Sequence, residues 1–146
     1  MSLLEKAISI AVEAHRGQKD KVGTPYILHP LSVMARVDTE AEKIVAVLHD
    51  GVEDTPWSFE DLKREGFPDE ILKALDCVTK REGESYDDFI KRSESNPIAR
   101  AVKLADLEDN MDIRRLKFVT EKDADRFQKY LKAWRYLKEK PPREEK

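Results

Sequence analysis

The 146 residues suffice for one domain, which at this size buries roughly two-thirds of its unfolded surface. Cys77 is the single cysteine, so no disulfide framework is available, and 40% hydrophobic with 39% charged residues and only 5 glycines suits helices with a charged outer face better than a turn-rich sandwich. A net charge of −3 leaves no basic surplus for a nucleic acid or an acidic membrane.

Leu4, Ala7, Ile8, Ala11, Ala14 and His15 recur at helical spacing, which predicts a first helix from Leu3 to Arg16. Gly17 to His29, with Gly23 and Pro25, reads as a loop. Pro30 opens a short helix through Val37. Thr39 with Glu42 has the form of a helix cap before the apolar run Ile44 to Leu48, which carries straight into His49-Asp50. Ser58 with Asp61 opens another short helix, closed near Gly66, and Pro68 starts the next, through Thr79. Ser85 to Glu94 and Pro97 to Asn110 read as two more. Thr120 with Asp123 begins a long helix to Lys138. The expectation is a compact all-α bundle, a single domain over residues 1–140, followed by a charged tail, Pro141 to Lys146, that frays. No apolar stretch approaches the ~18 residues of a spanning helix. The N-terminus, with Glu5 and Lys6, develops no signal-peptide apolar region. A cytoplasmic protein is expected.

Leu48-His49-Asp50-Gly51-Val52-Glu53-Asp54 is the strongest local signal. On a helix His49 and Glu53 are i,i+4 neighbours, as are Asp50 and Asp54. Imidazole beside carboxylate suits a divalent ion, and a second acidic pair one turn on can act on water. The apolar run before the dipeptide puts it at the edge of the core, whereas a solvated helix end would explain a lone His-Asp. His29, held before Pro30, is restricted to extended geometry, which fixes its direction as a ligand or a packed side chain. His15 lies on the apolar stripe of the first helix and suits a hydrogen-bonded supporting role better than metal contact. Cys77, in a helical setting, reads as a small hydrophobe. Asp106 continues the inward stripe Ile98, Ala101, Val102 and Ala105, where a carboxylate needs a partner, and no lysine or arginine stands out as one. Asn110 lies one turn further on the same side. Glu108 and Asp109 are expected to face solvent.

These blocks, in this order, resemble the hydrolase domain of the RelA/SpoT family and its stand-alone relatives, the small alarmone hydrolases. The matching stretches are Ala14-His15-Arg16-Gly17-Gln18, Gly23 to Pro30, Leu48 to Thr55, and Val102 to Asp106 with Asn110, within a likeness spanning Ala7 to Tyr136. The resemblance implies an all-α HD-domain bundle with one manganese ion held by His29, His49, Asp50 and Asp106. It implies Glu53 and Asp54 as the pair that positions or deprotonates the attacking water, and Asn110 and Tyr130 beside the nucleotide. Lys21 and Lys103 are candidate phosphate contacts. The implied activity removes the 3′-pyrophosphate from guanosine tetra- or pentaphosphate, by a degrading enzyme without a synthetase domain. Its partner is then a small-molecule nucleotide. Asp20 and Asp112 stand where the family usually has arginine near the base and sugar, so the metal chemistry is better marked than the nucleotide. The alternatives are an HD phosphatase for another nucleotide, either a nucleoside monophosphate or a dinucleotide cofactor, and a nucleotide-binding protein without turnover, for which an intact Glu53-Asp54 pair has no use.

Overall fold

Small hydroxyl side chains set where the helices of this chain begin. In the computed structural model, which describes residues 1–139, Ser2, Thr39 and Ser58 each accept a backbone N–H three residues on, while Glu5, Glu42 and Asp61 bond back to the cap. These capping boxes, worth roughly 1 kcal/mol each, open α1 (Leu3–Ala14), α3 (Glu40–Leu48) and α5 (Phe59–Arg64). Between them lie α2 (Leu28–Ala35) and the single turn α4 (Gly51–Asp54). Then come α6 (Asp69–Cys77), α7 (Tyr86–Glu94) capped by Ser85, α8 (Pro97–Asn110) capped by Asn96, and α9 (Glu121–Glu139). The reciprocal Thr120–Asp123 bonds that precede α9 were legible in sequence. A short 3-10 turn, Ile113–Arg115, precedes α9. No strand occurs among the described residues, only a bridge between Lys19 and Pro25 that closes the α1–α2 loop. The tail Pro141 to Lys146 lies outside the described residues. No described helix is long and apolar enough to cross a membrane.

Three of the boundaries that differ from expectation lie beside the histidines. α1 stops at Ala14, His15 becomes its C-cap, and the chain leaves through Gly17 at φ +77°. α2 begins at Leu28, so His29 lies inside its first turn and is not extended. Pro30 is tolerated there because first-turn N–H groups have no intrahelical acceptor in any case. The apolar helix also does not run unbroken through His49-Asp50. α3 ends at Leu48, both residues keep right-handed helical angles, and α4 follows.

α3 is the centre of the packing, in contact with α1, α2, α6 and α8, while α2 also meets α8. Its buried run Ile44 to Leu48 joins Ala7, Ile10, Ala11, Val33, Leu75 and Val102 in the main core. A second cluster, Ile90, Leu107, Ala133 and Leu137, fixes α9 onto α7 and α8. There the Arg100 guanidinium donates to the Leu137 carbonyl.

Arg92 of α7 closes the end of α6. It donates to the Asp76 carbonyl, to the Thr79 carbonyl at 2.7 Å, and through a fork to Glu84 at 2.8 and 2.9 Å. The hydrogen bonds from Arg92 hold the Glu84 carboxyl down at about 2, against an ordinary 4.5. Because the folded value is the lower one, this stabilisation is complete above pH 4.5 and is lost as pH falls toward 2. We predict that Arg92→Ala lowers stability by about 1–3 kcal/mol, as expected for charged hydrogen bonds to otherwise orphaned carbonyls. Glu84→Gln should be clearly destabilised at neutral pH and converge with wild type in acid. Urea unfolding across this pH range is the check, and a constant difference between the two would rule out the linkage.

Candidate metal centre

Mutual packing of α2, α3 and α8 aims side chains from three segments at one point. His29 Nε2 lies 2.9 Å from Asp106 Oδ1, and His49 Nε2 lies 3.2 Å from the same oxygen. Asp50 joins them, Oδ1 at 3.2 Å from His49 Nε2 and Oδ2 at 3.6 Å from His29 Nε2. One ligating atom each from His29, His49 and Asp106 fall within 4.8 Å of one another. All four side chains are buried.

The outward-facing nitrogens explain why the inner ones converge. His29 Nδ1 lies 2.6 Å from Asp109 Oδ2, and His49 Nδ1 lies 2.5 Å from the Ala46 carbonyl. A carboxylate and a carbonyl only accept, so each Nδ1 keeps its proton. Each Nε2 can then turn a lone pair inward, the tautomer required of a metal ligand. Tyr26 Oη donates to Asp50 Oδ2 at 2.7 Å, and Asn110 Nδ2 to Asp106 Oδ1 at 3.2 Å, which orients both carboxylates.

This arrangement calls for positive charge. Burial disfavours a charged His29, yet hydrogen bonds to Asp106 and Asp109 outweigh it and raise its pKa to about 10. His49 is also raised, burial being overcome by the Asp50 charge and the bond to Asp106. Burial would raise Asp106, but Lys103 and the two imidazoles hold it well below the usual carboxylate range. Protons and a cation compete for the same Nε2 atoms. Two imidazoles with two carboxylates suit a borderline-to-hard divalent ion, so the residues fit a metal.

Several sequence expectations are corrected. Asp106 does have a cationic partner: Lys103 Nζ lies 2.9 Å from its Oδ2 and 4.9 Å from the Phe89 ring centroid. Lys103, expected at a substrate phosphate, is turned inward as that counter-charge. Asp109 does not face solvent. It is 4% exposed and accepts from His29 and, at 2.6 Å, from Ser32 Oγ, with Arg36 and Arg115 nearby at 3.5 and 3.6 Å. Its place on the stripe, four residues beyond Ala105 and seven beyond Val102, was the signal available in sequence. Glu108 is half-buried and accepts from Trp134 Nε1. Cys77 is half-buried, and burial pushes its thiol up, in keeping with an unreactive role.

Glu53 and Asp54 occupy the exposed turn α4. Burial first, then the charge of Asp50, raises both carboxyls. Glu53 Oε1 accepts from the Lys80 backbone at 3.2 Å, whereas the Asp54 carboxylate makes no hydrogen bond among the described residues.

Beside His29 opens a hollow of about 230 Å³. Lys21, Asn110 and Tyr130 line it, and so do Asp20 and Asp112. Both aspartates are committed locally. Asp20 Oδ1 accepts from the Val22 and Thr24 backbones, and Asp112 is forked by Arg114. Arg115, Arg126 and Phe127 also line the hollow and were not singled out in sequence. Arg126 precedes Tyr130 by one turn of α9, a spacing that could have revealed it.

A scan against family models finds no match. Among curated proteins, the chain is 35% identical to guanosine-3′,5′-bis(diphosphate) 3′-pyrophosphohydrolase of Aquifex aeolicus, over 74% of this chain and 17% of that one. It is 36% identical to a GTP pyrophosphokinase of Streptomyces coelicolor, over 74% of this chain and 14% of that one. The chain therefore spans about a sixth of these relatives. A solved structure of a metazoan SpoT ortholog, described as hydrolysing ppGpp and acting in starvation responses, superposes with a TM-score of 0.73. That match is 26% identical and covers 94% of this chain and 85% of the other. The chain has the all-α HD-domain fold and resembles the RelA/SpoT family.

In this HD domain Asp109 is the residue whose role sequence missed most completely. Asp109→Asn should leave the helical circular dichroism intact while lowering affinity for manganese roughly ten- to a hundredfold, the usual effect of removing a partner that orients a ligand. Calorimetric titration reads this. Unchanged affinity would mean Asp109 only packs.

Proposed function

We propose that the domain removes the 3′-pyrophosphate from guanosine tetraphosphate, using one manganese ion held by His29, His49, Asp50 and Asp106. The observation that carries the reading is the pair of Nδ1-anchored histidines turned onto shared carboxylates beside a hollow lined by Lys21, Arg115, Arg126, Phe127 and Tyr130. The names of the similar proteins point the same way, and the small-molecule nucleotide and a cytoplasmic setting belong to this reading. A bound divalent ion would supply polarisation of the phosphoryl oxygens and acidification of water.

The chain's own groups do the rest. Asp54, with no hydrogen bond among the described residues, and Glu53 orient the attacking water and take its proton; their raised pKa values bring both nearer to neutrality than an ordinary carboxylate. Lys21, Arg115 and Arg126 offset phosphate charge in the hollow, Tyr130 and Phe127 offer ring faces to a base, and Asn110 stands between hollow and cage. Lys103 balances Asp106 from behind.

Incubation with manganese and a nucleotide panel, products resolved by ion exchange, should give GDP and pyrophosphate from guanosine tetraphosphate. His49→Ala and Asp106→Ala should lose both metal and turnover. Asp54→Ala and Glu53→Ala should keep the metal and lose activity by roughly a hundred- to ten-thousandfold, the usual range for general acid–base help. Turnover surviving in His49→Ala, or metal loss in Asp54→Ala, would contradict these assignments.

A further inference from the structure

The α1–α2 loop folds back on itself as a narrow hairpin beside the hollow. At its inner end the Tyr26 N–H donates to the Gln18 carbonyl, while Tyr26 Oη reaches Asp50 and Gln18 Oε1 meets the buried His15. Lys19 and Pro25 bridge next. One step further out, the Asp20 N–H donates to the Thr24 carbonyl at 2.8 Å. At about 3.3 Å per residue, Asp20 stands ~7 Å beyond the Gln18–Tyr26 pair. The tip that follows, Lys21 to Gly23, is exposed. Tyr26, Asp20, Lys21 and Val22 all line the hollow, so this wall runs outward from the metal cage with Asp20 on its far part.

One oxygen of Asp20 holds the loop together. Oδ1 accepts from the Val22 and Thr24 N–H groups at 3.0 and 2.9 Å. Oδ2 makes no hydrogen bond or ion pair among the described residues, and a carboxylate oxygen can only accept. The other aspartate of the lining, Asp112, has both oxygens forked by Arg114. Asp20 Oδ2 is thus the carboxylate oxygen of the hollow left open to donors on a ligand. Tyr130 and Phe127 bring two rings to the same hollow, and such faces stack on flat heterocycles. Guanine carries two adjacent donors on one edge, the ring N1–H and the 2-amino group, and a single oxygen can accept both. Adenine turns a lone pair outward at N1, which a carboxylate repels.

We propose that Asp20 selects the base, its Oδ2 accepting from the N1–H and 2-amino group of guanine, so that the hollow takes a guanine nucleotide in preference to an adenine one. This rests on the hydrolase reading for placing the phosphates at the cage end and the base at the far end. Its test reads binding of a nucleoside diphosphate and needs no turnover.

Asp20→Asn keeps an Oδ1 acceptor for Val22 and Thr24, so the loop stands, and puts an Nδ2 donor where Oδ2 was. Manganese-loaded protein is titrated calorimetrically with GDP, IDP, ADP and XDP. Affinity ratios are compared, because chelation of metal by the diphosphate is common to all four. Wild type should bind GDP roughly ten- to a hundredfold more tightly than ADP, the usual weight of hydrogen bonds to a charged group. IDP, which lacks the 2-amino group, should fall between them. Asp20→Asn should lose this preference and gain XDP over GDP by roughly tenfold, since xanthine offers the amide a 2-oxo acceptor. A gained ligand is not a product of misfolding. No preference for GDP in wild type, an unchanged GDP-to-ADP ratio in Asp20→Asn, or no gain of XDP overturns the proposal. Wild type that selects GDP through Asp20 yet cleaves no guanosine tetraphosphate defeats the hydrolase reading and leaves this inference standing. Cleavage without Asp20-dependent selectivity does the reverse.

Discussion

The fixing of two imidazoles by their outer nitrogens is the constraint on which the rest of this molecule depends. Asp109 and the Ala46 carbonyl each hold an Nδ1 proton, and only then do both Nε2 atoms face Asp106. Those contacts join positions 77 and 57 residues apart in sequence. They survive because α2, α3 and α8 pack tightly against each other and fix the three backbones beforehand. Rotamer freedom lost by the buried side chains is thus offset by packing that the core supplies anyway.

Gathering Asp50, Asp106 and Asp109 in one buried region would be strongly unfavourable on its own, since buried charges persist only when paired. The chain spreads the compensation over several cations: Lys103 against Asp106, with Arg36 and Arg115 near Asp109. None of them sits among the four inward groups. The centre of the cage is left to the imidazoles, whose raised pKa values show how strongly it favours a positive guest.

Much of this was legible in the sequence, and the reason is local chemistry. Capping boxes at Ser2, Thr39 and Ser58 and the apolar run Ile44 to Leu48 state their structure within four or five residues. His49, Asp50 and Asp106 stood out because polar groups at the end of apolar stripes need partners. The failures came where tertiary contact overrides a local rule. His29 enters a helix despite Pro30 because its ring is tied at both nitrogens, and Asp109, in a run of acidic residues, looked like solvated charge. Lys103 read as a candidate phosphate contact, and only the packing of α7 shows Phe89 beneath it.

The charge facing a ligand in the hollow also follows from tertiary commitments more than from composition. Asp20 and Asp112 would make the hollow repulsive to phosphate if their oxygens were free. Asp20 instead holds its own turn together and Asp112 is neutralised by Arg114. Lys21, Arg115 and Arg126 are the cations left at the lining, and two of these are themselves shared, Arg126 with Asp123 and Arg115 with Asp109. Arg115 Nη2 also donates to the Asp109 carbonyl at 2.6 Å, so it braces the residue that fixes His29 while presenting a guanidinium to the hollow. An anion bound there meets a cation whose other contacts end on the metal cage. One side chain thereby links the lining of the hollow to the histidine cage, and a change at Arg115 alters the field at both.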